Sequence, residues 1–215
     1  RQSMSDQPAA NPIAAAFGGE SFVEVLLRLN AAADDPAVKG VFVRASEGEL
    51  GSSRAEELRA AFKRLRAKDK FVIAHSQGFM AGGPSGYRAI SAASEIWLQP
   101  GSSFEASGVN FETVFLGGLM DKLKVDPEFE HFYEFKDAPD VYERKSYSEP
   151  SKLALRALGE SVWGATIADI SADRGAEASV IRAALEASPH TAERASQLKL
   201  VDKLGRPEDA ELAAI

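Results

Sequence analysis

The side chains that could act as metal ligands or general bases are few and widely separated. Three histidines, His75, His131 and His190, stand far apart, and none has the spacing of an HExxH helix. The chain has no cysteine, which excludes disulfides, thiolate metal sites and cysteine nucleophiles. A zinc enzyme and a Ser-His-Asp hydrolase are therefore disfavoured, no metal or organic cofactor is predicted, and we interpret His131 as a structural residue.

A glycine-rich segment, GFMAGGPSG at residues 78–86, resembles a phosphate-binding loop only superficially. It lacks the Lys-Ser/Thr ending of a P-loop, it contains no GxGxxG, and Tyr87 occupies the last place of a GxSxG nucleophile elbow. A nucleotide site and an α/β-hydrolase are thus disfavoured. Ser85 remains a candidate nucleophile, and its structural alternative is a helix N-cap.

Lys136 is the remaining candidate for acid–base chemistry. It follows Phe132-Tyr133-Glu134-Phe135, and a lysine packed among aromatic groups loses ammonium hydration, which lowers its pKa and suits it to act as a general base. The alternative is a strand-end lysine whose ammonium group lies in water. Local sequence alone favours that alternative.

The composition is that of an ordinary globular chain. Its 215 residues are 45% hydrophobic and 27% charged, enough for one domain with a sizeable core. A net charge of −7 provides no basis for binding nucleic acid. The sequence has neither a run of about 20 apolar residues nor a signal-peptide pattern. Membrane association is thus expected only through segments absent here, since a chain beginning at Arg1 is either a piece of a longer protein or starts naturally at Met4.

The elements that would position these side chains follow from periodicity. We expect a flexible lead-in over residues 1–19 and a single domain over 20–215. Short apolar runs alternate with helices that have capping boxes at Ser21/Glu24 and Ser53/Glu56, and this order predicts an α/β fold with a parallel sheet. The predicted strands are 40–44, 71–74 and 95–98, and the predicted helices are 21–34, 53–65 and 87–93.

The second half predicts further elements around Lys136. Apolar spacing indicates a helix over 111–123, in which Gly117-Gly118 marks close packing, and an alternating aromatic strand over 129–135. A long helix over 149–173 follows, and the last segment is helical with a brief extended piece at 200–201.

Several segments together resemble the signal peptide peptidase A family, the Ser/Lys proteases of the ClpP/crotonase-like superfold. The resemblance covers about residues 20–206, and the order and spacing of the segments make it specific. It implies a parallel sheet core with flanking helices. The segments are EIWLQP at 95–100, GGLMDKLKV at 117–125, FKDAPDVYERKSYS at 135–148 and ASQLKLVDKLG at 195–205.

The resemblance implies that Lys136 is the general base. In the family a helix ending in Leu-x-Lys-Leu-x-Val precedes a strand that delivers the lysine. Lys145, beside Ser146, is the competing candidate. Counting from Val125 puts the family lysine on Lys136, whereas Lys145 would require a sizeable insertion.

The match departs from the family at the other catalytic positions. A gap-free alignment puts Pro84 where catalytic members have the serine that opens the next helix, so Ser85 falls one residue late. The family's Gly-Gly after the first core strand is reduced to Leu50-Gly51, leaving Gly51 as a candidate oxyanion donor. Asp137 replaces a serine, and its charge would raise the lysine pKa.

These residues support two functional expectations. The first is a signal peptide peptidase-like serine protease domain that contributes the lysine, most like the amino-terminal half of the long family members, where the serine lies in the other half. The second is a catalytically silent structural half that builds an oligomer. An acyl-CoA enzyme of the wider superfold has support from fold analogy alone.

The resemblance also implies partners and a location. We expect peptide substrates derived from signal-peptide remnants, a homo-oligomer, and no nucleic acid. The implied location is the bacterial cell envelope, membrane-associated and facing the periplasm or the outside.

Overall fold

The computed structural model describes residues 21–45, 50–79, 83–106, 108–130 and 132–215. They divide into two compact units: unit 1 contains Arg1–Gly108 and Thr166–Ile215, and unit 2 contains Val109–Ala165. The predicted lead-in at 1–19 lies outside the described residues. That residues 20–215 form a single domain stays a prediction.

Over the described part of the first hundred residues, helices and strands alternate as the sequence predicts. The strands are β1 Gly40–Ala45, β2 Phe71–Ser76, β3 Glu95–Leu98, β4 Ser103–Phe104, β5 His190–Thr191 and β6 Lys203–Leu204. The helices are α1 Phe22–Asp34, α2 Ser52–Arg66, α3 Ser85–Ile90, α4 Gly117–Leu123, α5 Asp140–Glu143, α6 Glu149–Arg174, α7 Ala178–Glu186, α8 Ala192–Gln197 and α9 Pro207–Leu212.

Unit 1 is built on a parallel sheet in the order β1-β2-β3-β6, and β4 pairs with β5 in a separate antiparallel ribbon. Val72 and Ala74 on β2 and Ile96 on β3 are fully buried. Strands of this kind are apolar throughout because helices cover both faces of a parallel sheet. The predicted α/β class with a parallel sheet and flanking helices is confirmed.

The helix starts differ in how they are capped. Ser21 and Glu24 form the predicted capping box at α1, where the Ser21 hydroxyl accepts from the Glu24 N–H and the Glu24 carboxylate accepts from the Ser21 N–H. The capping box predicted at Ser53 is wrong. Helix α2 begins at Ser52 with Gly51 as its N-cap, so Ser53 is already inside the first turn.

Two predicted elements in unit 2 are wrong, and one in unit 1 is displaced. The helix predicted over 111–123 begins only at Gly117. The aromatic strand predicted over 129–135 is absent from the residues described there, and Tyr133 adopts a left-handed φ of +69°, which interrupts any extended run. The extended piece predicted at 200–201 lies instead at β6. His131 lies outside the described residues.

A buried cluster of charges joins three helices of unit 1. Asp173 on α6 accepts hydrogen bonds from Arg59 on α2 and from the Ser91 hydroxyl, which lies 2.7 Å away just after α3. Asp169, one turn earlier on α6, pairs with Arg59 at 2.8 Å and with Arg88 of α3 at 2.5 Å. Each buried charge thus has a partner of opposite sign, as burial requires.

We predict that Asp173→Asn lowers the free energy of unfolding by about 3 kcal/mol, because it removes a charge that two buried groups face. The Asp173 side chain is only 3% exposed. The control is Glu211→Gln, which breaks an exposed pair with Arg44 and should cost less than about 1 kcal/mol. Denaturant unfolding measures both, and equal small losses would show that the cluster does not hold the helices together.

Candidate active site

Ser85 is the first residue of α3. Pro84, at the N-cap position, is buried, and no side chain caps the helix. The alternative role predicted for Ser85, that of an N-cap, is therefore wrong in this structure. Ser85 is half-buried, and Gly86 follows it, so a serine and a glycine open the helix that succeeds the second core strand.

Tyr87 fixes α3 in the core of unit 1. Its ring is fully buried and lies edge-on to Phe79 and Phe104, with ring centroids 5.7 Å and 4.9 Å away. Its hydroxyl donates to the Leu200 carbonyl oxygen over 2.7 Å. Burial raises the pKa of the Tyr87 phenol, so the hydroxyl remains a donor at neutral pH. The start of α3 is consequently held from its buried side.

Gly51 occupies the N-cap of α2 with φ −60° and ψ 149°, a conformation open to any residue. Its carbonyl accepts from the Ala55 N–H at 3.0 Å. A Cβ built at this glycine would meet nothing within 4 Å. Gly51 is thus not required by local packing, and residues 46–49 before Leu50 lie outside the described residues.

Two histidines of unit 1 bind backbone carbonyls. His75 on β2 is buried, and its Nε2 lies 3.0 Å from the Gly205 oxygen. The Nε2 of His190 lies 2.7 Å from the Ala184 oxygen. Both contacts are structural. Within the described ranges no three His, Asp or Glu side chains are grouped so as to hold a metal ion.

Lys136 lies in unit 2, on an exposed segment between a turn and α5. Its N–H donates to the Tyr133 carbonyl oxygen at 3.2 Å. The aromatic neighbours that were expected to desolvate it are themselves in water: Phe132 is 75% exposed and Tyr133 is 84% exposed. The predicted desolvation of Lys136 is therefore not produced by this chain's own packing.

The segment that carries Lys136 is anchored to α4 at its far end. The Leu116 N–H donates to the Val141 oxygen at 2.7 Å, and the Gly117 N–H donates to the Arg144 oxygen at 3.1 Å. A Cβ at Gly117 would lie 2.4 Å from that same Arg144 oxygen. Gly117 is close-packed as predicted, and it lets the backbone after α5 touch the start of α4.

The competing lysine, Lys145, is exposed and forms an ion pair with Asp121 on α4 over 2.5 Å. Arg144 beside it pairs with the buried Asp140 at 3.1 Å. Both side chains of the Lys145–Asp121 pair are exposed, so this ion pair contributes little to holding the segment. The setting of Lys145 agrees with the prediction of a solvated lysine before the long helix.

Unit 2 contains a cavity of about 390 Å³. Two of its lining residues, Glu134 and Phe135, directly precede Lys136 in the sequence. Apolar side chains and charges of both signs share its walls. The lining residues are Glu134, Phe135, Glu149, Pro150, Lys152, Leu153 and Arg156.

Residues 64–214 match the family described as Peptidase family S49. The matched range covers most of the chain and includes both Ser85 and Lys136, whereas Gly51 precedes it. The chain belongs to peptidase family S49. With the family comes the ClpP/crotonase-like fold that the resemblance implied, and the suspected relationship to signal peptide peptidase A is confirmed.

Two curated relatives agree with this assignment. The chloroplastic serine protease SPPA of Arabidopsis thaliana is 26% identical over 132 residues, which are 61% of this chain and 19% of that protein. Protease 4 of Haemophilus influenzae is 27% identical over 156 residues, which are 72% of this chain and 25% of that protein. The chain spans at most about a quarter of the length of these relatives. It is homologous to serine proteases of the SPPA kind.

Several solved structures have a similar arrangement of the chain. An enoyl-CoA hydratase/isomerase family member has a TM-score of 0.46 at 13% identity, covering 89% of this chain and 62% of that one. A membrane-bound stomatin-specific protease in complex with a substrate peptide has a TM-score of 0.39 at 10% identity, covering 82% and 80%. No helix in the described part of the chain is long and apolar enough to cross a bilayer.

The predicted site residues fall into both units. Ser85 and Gly51 belong to unit 1, and Lys136 belongs to unit 2. Their pairing as a catalytic dyad with an oxyanion donor stays a prediction. Sequence reasoning missed the buried Arg88, one turn after Ser85, although an arginine inside the apolar helix predicted at 87–93 was a visible signal.

We predict opposite effects for two adjacent glycines of α4. Gly117→Ala should lower the free energy of unfolding by about 1–3 kcal/mol, because its Cβ would overlap the Arg144 carbonyl oxygen. Gly118→Ala is the matched control, since its nearest neighbour would be Lys145 Cε at 3.9 Å, and helix propensity should make it neutral or stabilising by up to about 1 kcal/mol. Thermal and denaturant unfolding measure both variants, and a harmless Gly117→Ala would contradict the close contact.

Proposed function

We propose that this chain is a domain of a Ser/Lys serine protease that cleaves peptides derived from signal-peptide remnants, with Lys136 as its general base. The observation that carries the proposal is the placement of Lys136 eleven residues beyond Val125, on a segment tied to α4 by the Gly117–Arg144 contact. That spacing is the one at which the family has its lysine. Membership of a peptidase family supports peptide substrates.

Ser85 is the nucleophile that we propose for this chain. In the family the catalytic serine and a following glycine open the helix after the second core strand, and Ser85 and Gly86 open α3 after β2. Compared with the gap-free alignment, this assignment leaves one residue fewer between the serine and Tyr87. Ser85 does not cap α3, so a capping role does not explain why a serine stands at this position.

The proposed reaction is acyl transfer. The neutral amine of Lys136 takes the proton of the serine hydroxyl while the serine oxygen attacks the scissile carbonyl carbon. The N–H of Gly51 donates to the oxyanion that forms. The lysine then returns the proton to the leaving amine, and water releases the acyl group by the same steps in reverse order.

A general base must be neutral, and a hydrated lysine is charged at neutral pH because its ordinary pKa is about 10.4. Many large apolar side chains of unit 2 are exposed, so a second copy of the chain that covers them would supply the missing desolvation. We therefore include a homo-oligomer in the proposal. The exposed residues are Val109, Phe111, Val114, Leu119, Leu123, Val125, Phe129, Phe132, Tyr133, Phe135, Tyr142, Leu153 and Leu158.

The cell envelope is the location that we propose, since the bacterial relative is a protease of the same family and signal-peptide remnants arise at the membrane. Attachment to the membrane would use segments other than those described. No nucleic acid partner is proposed, in keeping with the net charge of −7.

A catalytically silent half is the second candidate function, and Pro84 favours it. Pro84 stands at the family's serine position in the gap-free alignment and has no hydroxyl. In this alternative the chain shapes an oligomer and a substrate groove while a serine from another segment attacks.

We expect Lys136→Ala to lower peptide turnover by about 10²–10⁴-fold, the usual contribution of a positioned general base. Lys145→Ala should leave turnover nearly unchanged, because that lysine pairs with Asp121 at the surface. The assay follows hydrolysis of an apolar signal-peptide segment by the active assembly, either this chain alone or this chain joined to a serine-bearing half. Full turnover in the Lys136→Ala protein would refute the assignment of the base.

The nucleophile is tested by a fluorophosphonate reagent and peptide mapping. Labelling should fall on Ser85 and vanish in Ser85→Ala, while Ser53→Ala, a change at an exposed serine, should still be labelled. An unlabelled chain beside a labelled serine in another segment would favour the silent half. Ser85→Ala should not change the stability by a helix-cap contribution, since Ser85 does not cap α3.

A further inference from the structure

Arg88 is a buried cation that the proposed reaction does not use. It lies three residues after Ser85 on α3, and its side chain is only 6% exposed. Its Nε and Nη2 donate to one oxygen of Asp169 over 2.8 Å and 2.5 Å. This pair satisfies the charge of Arg88 but leaves its other terminal nitrogen available for a second partner.

The second partner connects α3 to the start of α2. Nη1 of Arg88 donates to the Ser52 hydroxyl over 3.1 Å. Ser52 is the first residue of α2 and follows Gly51, the proposed oxyanion donor. One planar guanidinium thus spans from the helix that Ser85 opens to the helix that Gly51 precedes.

Asp169 binds both Arg88 of α3 and an arginine of α2. Its Oδ1 pairs with Arg59 of α2 at 2.8 Å, while its Oδ2 holds Arg88. Helix α2 is therefore held to α3 at its first residue through Ser52 and two turns later through Arg59, and between them Glu56 of α2 lies 3.7 Å from Arg88 Nη2 in an ion pair. A lysine at position 88 could not make both contacts in fixed directions, because it lacks the planar fork of arginine.

We propose that Arg88 is a positioning residue that sets the backbone N–H of Gly51 relative to the hydroxyl of Ser85. The proposal rests on the proposed function. Oxyanion donors are effective only when they are already aimed at the place where charge develops. Arg88 acts through Ser52 and touches no substrate.

Ser52→Ala is the sharpest test, because it removes the arm toward Gly51 and leaves the Arg88–Asp169 pair in place. Hydrogen exchange of the amides at 55–58, which close the first turn of α2 onto the carbonyls of 51–54, should accelerate about fivefold, the population change that corresponds to one net hydrogen bond. Ser52→Thr keeps the hydroxyl and should restore the wild-type rate. Ser53→Ala, at the adjacent exposed serine, should leave exchange unchanged.

In the active assembly Ser52→Ala should lower kcat about fivefold with KM unchanged, and Ser52→Thr should restore kcat. Arg88→Lys should also lower kcat, with a smaller loss of stability than Arg88→Met. Unchanged exchange at 55–58 in Ser52→Ala would overturn the proposal. Accelerated exchange with an unchanged kcat would also overturn it, because the Arg88–Ser52 contact would then stabilise the helix start without affecting catalysis.

Failure of the proposed function would look different. Exchange is measured on the chain without substrate, so it does not depend on activity. A wild-type assembly with no peptide turnover and no labelling of Ser85 would refute the proposed function before any Ser52 variant is compared, and it would overturn the positioning role with it.

Discussion

The arrangement of unit 1 depends on placing two arginines and two aspartates where water is largely excluded. Arg59 and Arg88 can be buried only if Asp169 and Asp173 meet them, and these four side chains come from α2, α3 and α6. A buried ion that loses its partner costs several kcal/mol, so the three helices have little freedom to shift independently. The segments carrying Ser85 and Gly51 both begin helices of this cluster, which makes the cluster the constraint on their relative position.

Much of unit 1 could be predicted because each of its elements leaves a local signal. Apolar runs at Val41-Phe42-Val43 and Phe71 to Ala74 are typical of strands buried on both faces, and the Ser21/Glu24 pair marks a helix start. The aromatic strand around Phe132 was wrong for a physical reason. Alternation predicts a strand only where a partner strand and a buried face are available, and these aromatic side chains are exposed.

The candidate site was only partly visible in the sequence. Lys136 was found from the spacing of a family motif, and Ser85 from the glycine-rich loop, but the contacts that hold each of them are long-range. The Arg144 backbone meets Gly117 across 27 positions of the chain, and the Arg88 side chain meets Asp169 across 81. A glycine pair and an arginine within an apolar helix indicate that packing is special there, yet they do not name the partner.

The most direct test of Lys136 as general base is the pH dependence of serine acylation by a fluorophosphonate, measured in the active assembly. The account predicts that the rate rises with pH through one inflection to a plateau, because only the neutral amine can accept the proton. That inflection should persist in Lys145→Ala and disappear in Lys136→Ala together with most of the rate. An identical profile in the Lys136→Ala protein would contradict the account.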